Sequence, residues 1–439
     1  MRILKFGGTS VGSAEALARV RDIVAGQLDA RPVVVVSAHS GVTDELLALA
    51  ERAARGRYSL RKLRRRHSEL YREIGVDPAL ADELLDELDD LLRGLTLVRE
   101  LTPRTLDRVA SFGERISARG VAAYFVNEGI KAVACDAFDL GLRTDSRFTA
   151  ATPDPACYPD LRRNLKQLTR KSVPVVTGFV AKDAKGEITT LGRSGSDFTA
   201  TLLGAAVRAD EVQIWTDVDG VMTADPRIVP AARSIPVLSI AEASELAYYG
   251  ARVIHPATML PAVERRIPVC VRNTSLPDRP GTTILAQAGS TRGAVKSIAY
   301  KRGIYVITVE SSRMLLQSGF MARIFEVFAR HDLSVDLVAT SEVTVSVTVD
   351  TQRNLDVVRR EMEEFAEVTV EKEMAQICIV GEGIRDRVGV PGDVFAELKR
   401  ARLPVRLISH GGTKINISLL VRARDVVRAV RALHRTFFE

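Results

Sequence analysis

Glycines, hydroxyl residues and charged residues stand where short apolar segments of this sequence end, and these residue types bind anions. The first such segment, RILKF, contains Lys5 and runs directly into Gly7 and Gly8. Two glycines allow backbone N–H groups to approach an anion closely, and a lysine adds a positive charge suited to phosphate. The pattern is not a P-loop, because the lysine precedes the glycines. An ordinary strand-to-helix turn capped by Ser10 or Ser13 is the alternative interpretation.

Three further turns carry residues of the same kinds. The stretch GRSGSD stands between a predicted strand and a predicted helix, where an arginine and a helix N-terminus can hold a carboxylate or a phosphate. Its aspartate, Asp197, either has an active role, in which it orients Lys5 or helps to position a metal ion, or it stabilises the start of the helix. The stretch SAHSGVTDELL follows another strand, and SFGERISARG is predicted to open another helix. The side chains that these turns offer are Ser37, Ser40, Thr43, Glu114, Arg193 and Ser196.

The elements around these turns predict an α/β fold. From residue 1 to about 285, short apolar strands such as PVVVVSA and EVQIWTDV alternate with helical segments such as SAEALARVRDIVAGQL. This alternation is typical of a largely parallel sheet covered by helices, in which ligands bind at the carboxyl ends of the strands. The turns described above are therefore expected to meet at one edge of the sheet.

A repeat of roughly 65 residues follows the Pro- and Gly-rich stretch SLPDRPGTTI. Both copies read as βαββαβ, but the second lacks its last strand. We expect the strand VKSIAYK, which precedes the first copy, to complete the second, because an open sheet edge is costly to leave unpaired. The first copy would then be inserted in the second. The expected boundaries are a catalytic domain at 1–285, a linker and completing strand at 286–303, and two small domains at 304–374 and 375–439.

Composition and charge narrow the function classes. The formal net charge is +7, but 62 basic residues are interleaved with 55 acidic ones, and the basic cluster SLRKLRRRHSEL lacks aromatic residues for base stacking. This cluster is predicted to be a solvated helix beside the acidic stretch ADELLDELDDLLRGL, and nucleic acid is not expected as a partner. No apolar stretch approaches the roughly 20 residues of a membrane span. The four cysteines show no metal or disulfide spacing, so we expect a cytoplasmic protein with no membrane partner.

Seven ordered motifs resemble those of the aspartate kinase family: KFGGTSV, SAHSGVTDELL, SFGERISA, TDSRF, GRSGSD, WTDVDGVMTADPR and YGARVIHPAT. The resemblance covers the whole chain and is to the monofunctional, lysine-sensitive type. It implies an amino acid kinase fold, an αβα sandwich, followed by two ferredoxin-like ACT domains. It also implies phosphorylation of the side-chain carboxylate of L-aspartate by ATP, the first step of lysine, threonine and methionine biosynthesis.

The resemblance also assigns residues to sites. Lys5, Asp197 and Arg193 would carry the chemistry, and Mg²⁺ would be held mainly by the ATP phosphates, with no metal site built from the protein alone. The aspartate site would comprise Ser37, Thr43, Glu114, Arg193 and Ser196. The ATP site would comprise Lys5, Phe6, Gly7, Gly8, Thr216, Asp217, Met222, Arg227, Arg252 and Val253. The effector site would comprise Met314, Gln317, Gly319, Phe320, Met321, Ser334, Val335, Asp336, Thr340, Ser341 and Glu342.

The same resemblance implies regulation by an amino acid, lysine or threonine, at the ACT domains, and a homodimer formed through them. Met222, Arg252 and Gln317 stand where tyrosine, lysine and serine are expected, and Ser194 replaces glycine. A negative φ at Ser194 would make that change harmless. Two alternatives stay open: an amino acid kinase with another substrate, and a catalytically weak ACT protein that senses amino acids.

Overall fold

The protein is described by a computed structural model that covers residues 1–250, 254–288, 295–316, 318–410 and 414–439. Three predicted site residues, Arg252, Val253 and Gln317, therefore lie outside the described residues. None of the helices in these ranges is long and apolar enough to cross a membrane.

The chain forms two compact units that are not divided at a single point in the sequence. The first comprises Met1–Val221, Pro236–Ile240 and Val253–Gln287, and the second comprises Met222–Ile235, Ala241–Arg252 and Ala288–Glu439. Two segments that precede residue 285 thus pack with the C-terminal repeats. The segment Met222–Ile235 packs there because its apolar residues are buried: Ala224, Ile228 and Val229 belong to the buried cluster of the second repeat.

Strands and helices are interspersed up to residue 285, and four helices follow one another between residues 42 and 127. The strands are β1 (Arg2–Phe6), β2 (Val33–Val36), β3 (Ala132–Cys135), β4 (Arg143–Thr144), β5 (Val173–Thr177), β6 (Val180–Asp183), β7 (Ile188–Thr190), β8 (Glu211–Thr216), β9 (Val237–Ser239), β10 (Val269–Asn273), β11 (Thr282–Leu285), β12 (Ser297–Glu310), β13 (Val338–Thr340), β14 (Thr344–Val349), β15 (Glu367–Val380), β16 (Leu407–His410) and β17 (Asn416–Arg422). The helices are α1 (Ala14–Ala25), α2 (Val42–Ala54), α3 (Arg61–Glu73), α4 (Asp82–Val98), α5 (Pro103–Asn127), α6 (Tyr158–Leu168), α7 (Gly195–Val207), α8 (Ile240–Tyr248), α9 (Pro256–Val263), α10 (Phe320–Arg330), α11 (Leu355–Glu363), α12 (Val390–Arg400) and α13 (Val426–Phe438).

An eight-stranded sheet forms the centre of the first unit, in the order β3-β5-β2-β1-β8-β10-β11-β9. β10 and β11 pair antiparallel, and all other neighbours pair parallel, as predicted. β2 (VVVV) is completely buried, which explains its continuous apolar sequence. β4, β6 and β7 form a separate three-stranded sheet. The parallel order brings the carboxyl ends of β2, β1 and β8 side by side.

The central strand β1 directs alternate residues to two helical layers. Leu4 and Phe6 belong to the buried cluster that includes residues of α1, α2, α4 and α5. Ile3 points to the other face, where its Cγ1 lies 3.6 Å from the position of a Cβ built on Gly204 of α7. Lys5 shares the face of Ile3 and is therefore directed towards the layer of α7.

The basic segment forms helix α3, and acidic side chains of α4 compensate part of its charge. Arg64 of α3 pairs with Asp82 at 3.6 Å and also with Asp86, both in α4. Arg108 of α5 pairs with Glu87 of α4 at 3.2 Å. The two Arg64 pairs join the basic helix α3 to the acidic helix α4, which is the predicted arrangement.

A six-stranded antiparallel sheet spans both repeats of the second unit, in the order β13-β14-β12-β15-β17-β16. Residues 297–302 of β12 pair with 375–380 of β15, which pair in turn with β17. The segment that precedes the first repeat thus lies in the half of the sheet that the second repeat forms. Each repeat has its own buried apolar cluster.

The sequence predicts four short strands in the middle of this sheet, and the structure has two long ones instead. β12 runs without interruption from Ser297 to Glu310, and β15 from Glu367 to Val380. Gly303 (φ 75°) and Glu373 (φ 57°) adopt left-handed backbone conformations where the register of the pair shifts. The chain therefore bends within each strand instead of leaving the sheet. The predicted boundaries at 303 and 374 fall at these bends.

Candidate active site

Lys5 and Asp197 form a nearly buried ion pair in the first unit. Lys5 Nζ lies 2.7 Å from Asp197 Oδ1, and the two side chains are 11% and 10% exposed. β1 supplies the lysine on the face towards α7, and Asp197 stands in the first turn of α7. The carboxylate thus orients the ammonium group and also interacts favourably with the helix N-terminus, so the two interpretations of Asp197 are compatible.

The glycine turn after β1 packs tightly against the turn after β2. A Cβ on Gly8 would lie 2.7 Å from the carbonyl oxygen of Ala38, so another residue would force the main chain to move. The Ser40 N–H donates a hydrogen bond of 3.1 Å to the carbonyl of Gly8. A Cβ on Gly7 would lie 3.7 Å from Lys5 Nζ. The main chain at Gly7 therefore passes directly beside the ammonium group, as a phosphate cradle requires.

Glu114 lies in the middle of α5, and the prediction that it opens a helix is wrong. The helix begins at Pro103, where the Thr102 hydroxyl accepts a hydrogen bond from the Thr105 N–H and caps the N-terminus. Gly113 lies inside this helix and does not end it. Because Gly113 has no side chain, α5 can approach the turn after β2 closely. A Cβ on Gly113 would lie 2.7 Å from the Cβ of Ala38.

The Glu114 carboxyl group is buried and only partly hydrogen-bonded. Burial raises its pKa to about 7, although a hydrogen bond from the Ala38 backbone and the nearby Lys5 charge act in the opposite direction. Its Oε2 atom is buried and makes no hydrogen bond with any described residue. A buried carboxylate oxygen without a donor is costly. The geometry fits a site that receives a cationic group from a ligand.

Ser37 lies in the turn after β2 and Thr43 lies in the first turn of α2, and both predicted residues are partly exposed. The Ser37 N–H donates to the carbonyl of Phe6 at 3.2 Å, which extends the pairing of β1 and β2 into the turn. Arg66 of α3 donates to the carbonyl of Ser40 and holds the turn from the other side. The hydroxyl groups are therefore presented by a fixed backbone.

His39 lies in the same turn, but its side chain is buried and contacts the protein interior. Its Nδ1 lies 2.7 Å from the carbonyl oxygen of Val11, and its ring centroid lies 5.6 Å from that of His67. Burial, followed by repulsion from His67, lowers the pKa of His39 to about 3. The folded protein thus keeps this imidazole neutral throughout the neutral and mildly acidic range.

We expect the free energy of unfolding to fall as the pH is lowered from about 6.5 to about 3, because only the unfolded chain then binds a proton at His39. The slope from this residue is about 1.4 kcal/mol per pH unit. Urea unfolding at pH 6.5 and 5.5, followed by Trp215 fluorescence, measures it. His39→Gln should flatten the dependence, and His410→Gln, at an exposed position, should not. Equal slopes for all three proteins would contradict the assignment to His39.

The loop before α7 presents Arg193 to solvent. No hydrogen bond or ion pair with the described residues holds its guanidinium group. Ser194 has φ 56°, so the condition under which the change from glycine would be harmless, a negative φ, is not met, and the serine occupies a left-handed conformation that glycine adopts more readily. Ser196 is buried in the first turn of α7, where a Cβ on Gly178 would lie 2.5 Å from its own Cβ.

The predicted nucleotide residues are divided between the two units. Thr216 and Asp217 stand at the carboxyl end of β8, beside β1. The Phe6 side chain is buried and stacks on Trp215 at 6.1 Å, so only its backbone is available to a ligand. Met222 and Arg227 lie in the second unit. The Arg227 guanidinium is exposed and bound by both oxygens of Asp225, at 3.0 and 2.8 Å.

The described effector residues lie in the first repeat, but their environments differ. Phe320 is buried, with its ring centroid 5.7 Å from that of Phe365, and Met314, Met321 and Val335 pack against the same core. Gly319 precedes α10 and is exposed, and the other exposed members are Ser334, Thr340, Ser341 and Glu342.

Asp336, another predicted effector residue, contacts side chains of α8 and β12. Its carboxylate accepts a hydrogen bond from the Tyr248 hydroxyl, and Lys301 Nζ lies 4.0 Å away. Burial raises the pKa of Asp336, while the Tyr248 hydrogen bond and the Lys301 charge lower it. This carboxylate is thus suited to an ammonium ligand but already has internal partners.

The sequence interpretation did not include the end of β10. The Thr274 hydroxyl lies 2.7 Å from that of Ser10, next to the glycine turn. The signal is the polar sequence NTS, which begins at the last residue of the strand VCVRN. Within the described ranges, no three His, Cys, Asp or Glu side chains converge as a metal-binding group.

Comparison with known proteins identifies the family. Residues 1–273 match the amino acid kinase family, and residues 307–365 and 377–437 match an ACT domain. Aspartokinase 1, chloroplastic, of Arabidopsis thaliana is 40% identical over 100% of this chain and 80% of its own length.

Two solved structures of E. coli aspartokinase III are similar over the full length of both chains at 33% identity. One contains lysine and aspartate (T-state, TM-score 0.80), and the other contains aspartate and ADP (R-state, TM-score 0.79). The chain belongs to the aspartokinase family, with an amino acid kinase fold followed by ACT domains.

Proposed function

We propose that this chain transfers the γ-phosphoryl group of ATP to the side-chain carboxylate of L-aspartate, with 4-phospho-L-aspartate and ADP as products. The observation that carries the proposal is the Lys5–Asp197 ion pair beside the glycine turn, together with the buried Glu114 carboxyl at the same edge of the sheet. The Lys5 ammonium group is suited to bind a phosphoryl anion, and the Glu114 carboxyl group is suited to bind the ammonium group of an amino acid. Membership of the aspartokinase family supports the same substrates.

The reaction needs alignment and charge stabilisation more than proton transfer. A carboxylate oxygen of aspartate attacks the γ-phosphorus and forms a P–O bond, while the bond to the bridging oxygen breaks and ADP leaves. An aspartate side chain with an ordinary pKa near 4 is ionised at neutral pH, so no general base is required. Lys5, oriented by Asp197, would stabilise the charge on the transferring phosphoryl oxygens.

Two residues are proposed to fix the substrate. Arg193 would bind the α-carboxylate with its guanidinium fork, and Glu114 would bind the ammonium through its Oε2 atom. Ser37, Thr43 and Ser196 would complete the site with hydroxyl groups. Mg²⁺ neutralises phosphate charge when bound with ATP. Because Mg²⁺ usually takes only one or two protein carboxylates, we propose that the ATP phosphates hold it and that Asp197 is available to it.

Regulation is proposed at the C-terminal repeats. We assign 304–374 and 375–439 to the two ACT domains, and we propose lysine as the effector, with its ammonium group bound by Asp336. A homodimer through these domains, the domain boundaries and a cytoplasmic location stay predictions. The mass in solution, measured with and without lysine, would test the dimer, and a monomer in both conditions would contradict it.

The direct test is ATP- and Mg²⁺-dependent hydroxamate formation from L-aspartate, repeated with L-lysine, with L-threonine and with both. We expect turnover of aspartate that lysine suppresses. No turnover of aspartate together with tight amino acid binding would favour the sensing protein. Turnover of glutamate or acetylglutamate in preference to aspartate would favour another kinase of this fold.

Replacing Arg193 by alanine should lower kcat/KM for aspartate roughly 100-fold, because a charge-assisted bidentate clamp contributes about 2–3 kcal/mol. The loss should appear mainly in KM for aspartate, with KM for ATP nearly unchanged. Arg208→Ala, at an exposed arginine just after α7, is the matched control. An unchanged kcat/KM would remove Arg193 from the substrate site.

The pH dependence of kcat/KM for aspartate should reflect Glu114. Its pKa is raised to about 7, and only the ionised form attracts the substrate ammonium, so kcat/KM should rise as the pH increases through about 7. Glu114→Gln should lower kcat/KM and remove this inflection. An inflection that persists in the variant would assign the titration to another group.

A further inference from the structure

A cavity of about 470 Å³ lies within the second unit, between α13 and the segment 228–231. None of the predicted catalytic, substrate, nucleotide or effector residues lines it. We propose that this cavity binds an organic anion, a carboxylate or phosphate group attached to an aliphatic body. The proposal is independent of the kinase activity and rests on the residues that line the cavity.

The aliphatic part of the ligand is inferred from the floor of the cavity. Ile228 and Val229 are buried in the core of the second repeat, and Ala432 of α13 is also buried. Pro230 and Ala401 extend the same apolar surface. The volume lies within the usual range of about 300–1,000 Å³ for small-molecule sites and is far larger than an inorganic anion needs. The apolar floor thus favours binding of a ligand with an aliphatic part over binding of an inorganic ion.

The charge of the ligand is inferred from three arginines on one face of α13. Arg428, Arg431 and Arg435 line the cavity and stand three and four residues apart, the spacing that aligns side chains along a helix. The facing acidic groups are Glu439, which also lines the cavity, and Asp425, which lies 3.5 Å from Arg428. Three guanidinium groups thus meet two side-chain carboxylates, so the side chains at this face carry a positive balance.

The arginines differ in how they are held. Arg428 donates to the carbonyl of Ala401 at 2.9 Å, and the Arg431 Nε donates to the carbonyl of Ile228 at 2.8 Å. These two bonds fix the two sides of the cavity to α13. The Arg435 side chain makes no hydrogen bond or ion pair with any described residue, so its full donor fork is available to a ligand. Arg435 is therefore the residue expected to contribute most to anion affinity.

The test is isothermal titration calorimetry of the full chain with octanoate and with octyl phosphate, which separate a carboxylate from a phosphate ligand. Inorganic phosphate supplies the charge alone, and 1-octanol supplies the chain alone. We expect one of the two amphiphilic anions to bind at least tenfold more tightly than both of these controls. Arg435→Gln should weaken that binding at least fivefold without changing the melting temperature.

Two further variants make the result specific to this cavity. Ala231→Phe, at an exposed position of the lining segment, should block the cavity and abolish binding. Arg359→Gln, at an exposed position of α11 in the other repeat, should leave affinity within twofold. The proposal would be overturned if inorganic phosphate or octanol bound as tightly as the amphiphilic anions. It would also be overturned if both Arg435→Gln and Ala231→Phe kept full affinity.

Discussion

Lys5→Met is expected to lower kcat for aspartate phosphorylation by roughly 10³-fold, at the upper end of what removal of one preorganised charged donor costs. Methionine keeps the length and apolar stem of the side chain but removes the ammonium group. Two effects combine, because the phosphoryl oxygens lose a positive charge and Asp197 keeps its negative charge at a nearly buried position. The measurement is steady-state kinetics with ATP and aspartate varied separately.

The pattern of constants separates a catalytic role from a structural one. KM for aspartate should change little, because Lys5 is assigned to the phosphoryl group and not to the amino acid. Asp197→Asn, which leaves the ammonium in place but less well oriented, should lower kcat less than Lys5→Met does. Lys62→Met, at a side chain that is 84% exposed on α3, is the matched control. A kcat for Lys5→Met within threefold of the wild type would refute the proposed role.

Lys296→Met should destabilise the second unit by about 3–5 kcal/mol, the usual cost of breaking a buried ion pair by removing one partner. Lys296 Nζ lies 2.8 Å from Glu242 Oε2, and the side chains are 6% and 0% exposed. Glu242 also accepts a hydrogen bond of 2.7 Å from the Glu382 N–H. The pair thus joins the segment 241–252 to the second repeat, within one unit. Hydrogen exchange of the amides of β15 and β17 should accelerate, while that of β1 and β2 should not.

Lys301, which lies in β12 shortly after Lys296, provides the control. Lys301 pairs with Asp350 at 2.8 Å but is 22% exposed, so Lys301→Met should cost no more than about 1 kcal/mol. The double variant Lys296→Met/Glu242→Gln removes both charges and should recover part of the lost protection. Equal exchange rates for Lys296→Met and Lys301→Met would show that burial of the pair contributes nothing.

The sheet of the first unit and the turns at its edge could be predicted, because their signals are local. The parallel strand β2 is buried on both faces, and its sequence VVVV indicates this directly. The turn after β1 contacts the turn after β2, and the Gly-Gly sequence indicates such a close approach. The position of Glu114 could not be predicted in the same way. When only its sequence neighbours are considered, Gly113 indicates the start of a helix. The structural reason for a glycine at this position is the close approach of Ala38, which belongs to another turn.

Long-range burial explains the other differences. The segment that contains Met222 and Arg227 has no local feature that separates it from the catalytic domain. Its apolar residues Ile228 and Val229 nevertheless belong to the core of a repeat that begins far later in the chain. The left-handed φ of Ser194 is equally invisible in sequence, because serine gives no conformational signal comparable to that of glycine.

The two long strands β12 and β15 make the ACT repeats a single cooperative folding unit. One half of each strand packs in the apolar core of one repeat, and the other half packs in the core of the other repeat. The hydrogen-bonded pairing of β12 with β15 therefore continues from one repeat into the other without a linker. Expression of residues 304–374 alone would cut β12 and leave unpaired edges, which are sites of aggregation. We therefore expect the two repeats to unfold together, because neither can leave the sheet without breaking both shared strands.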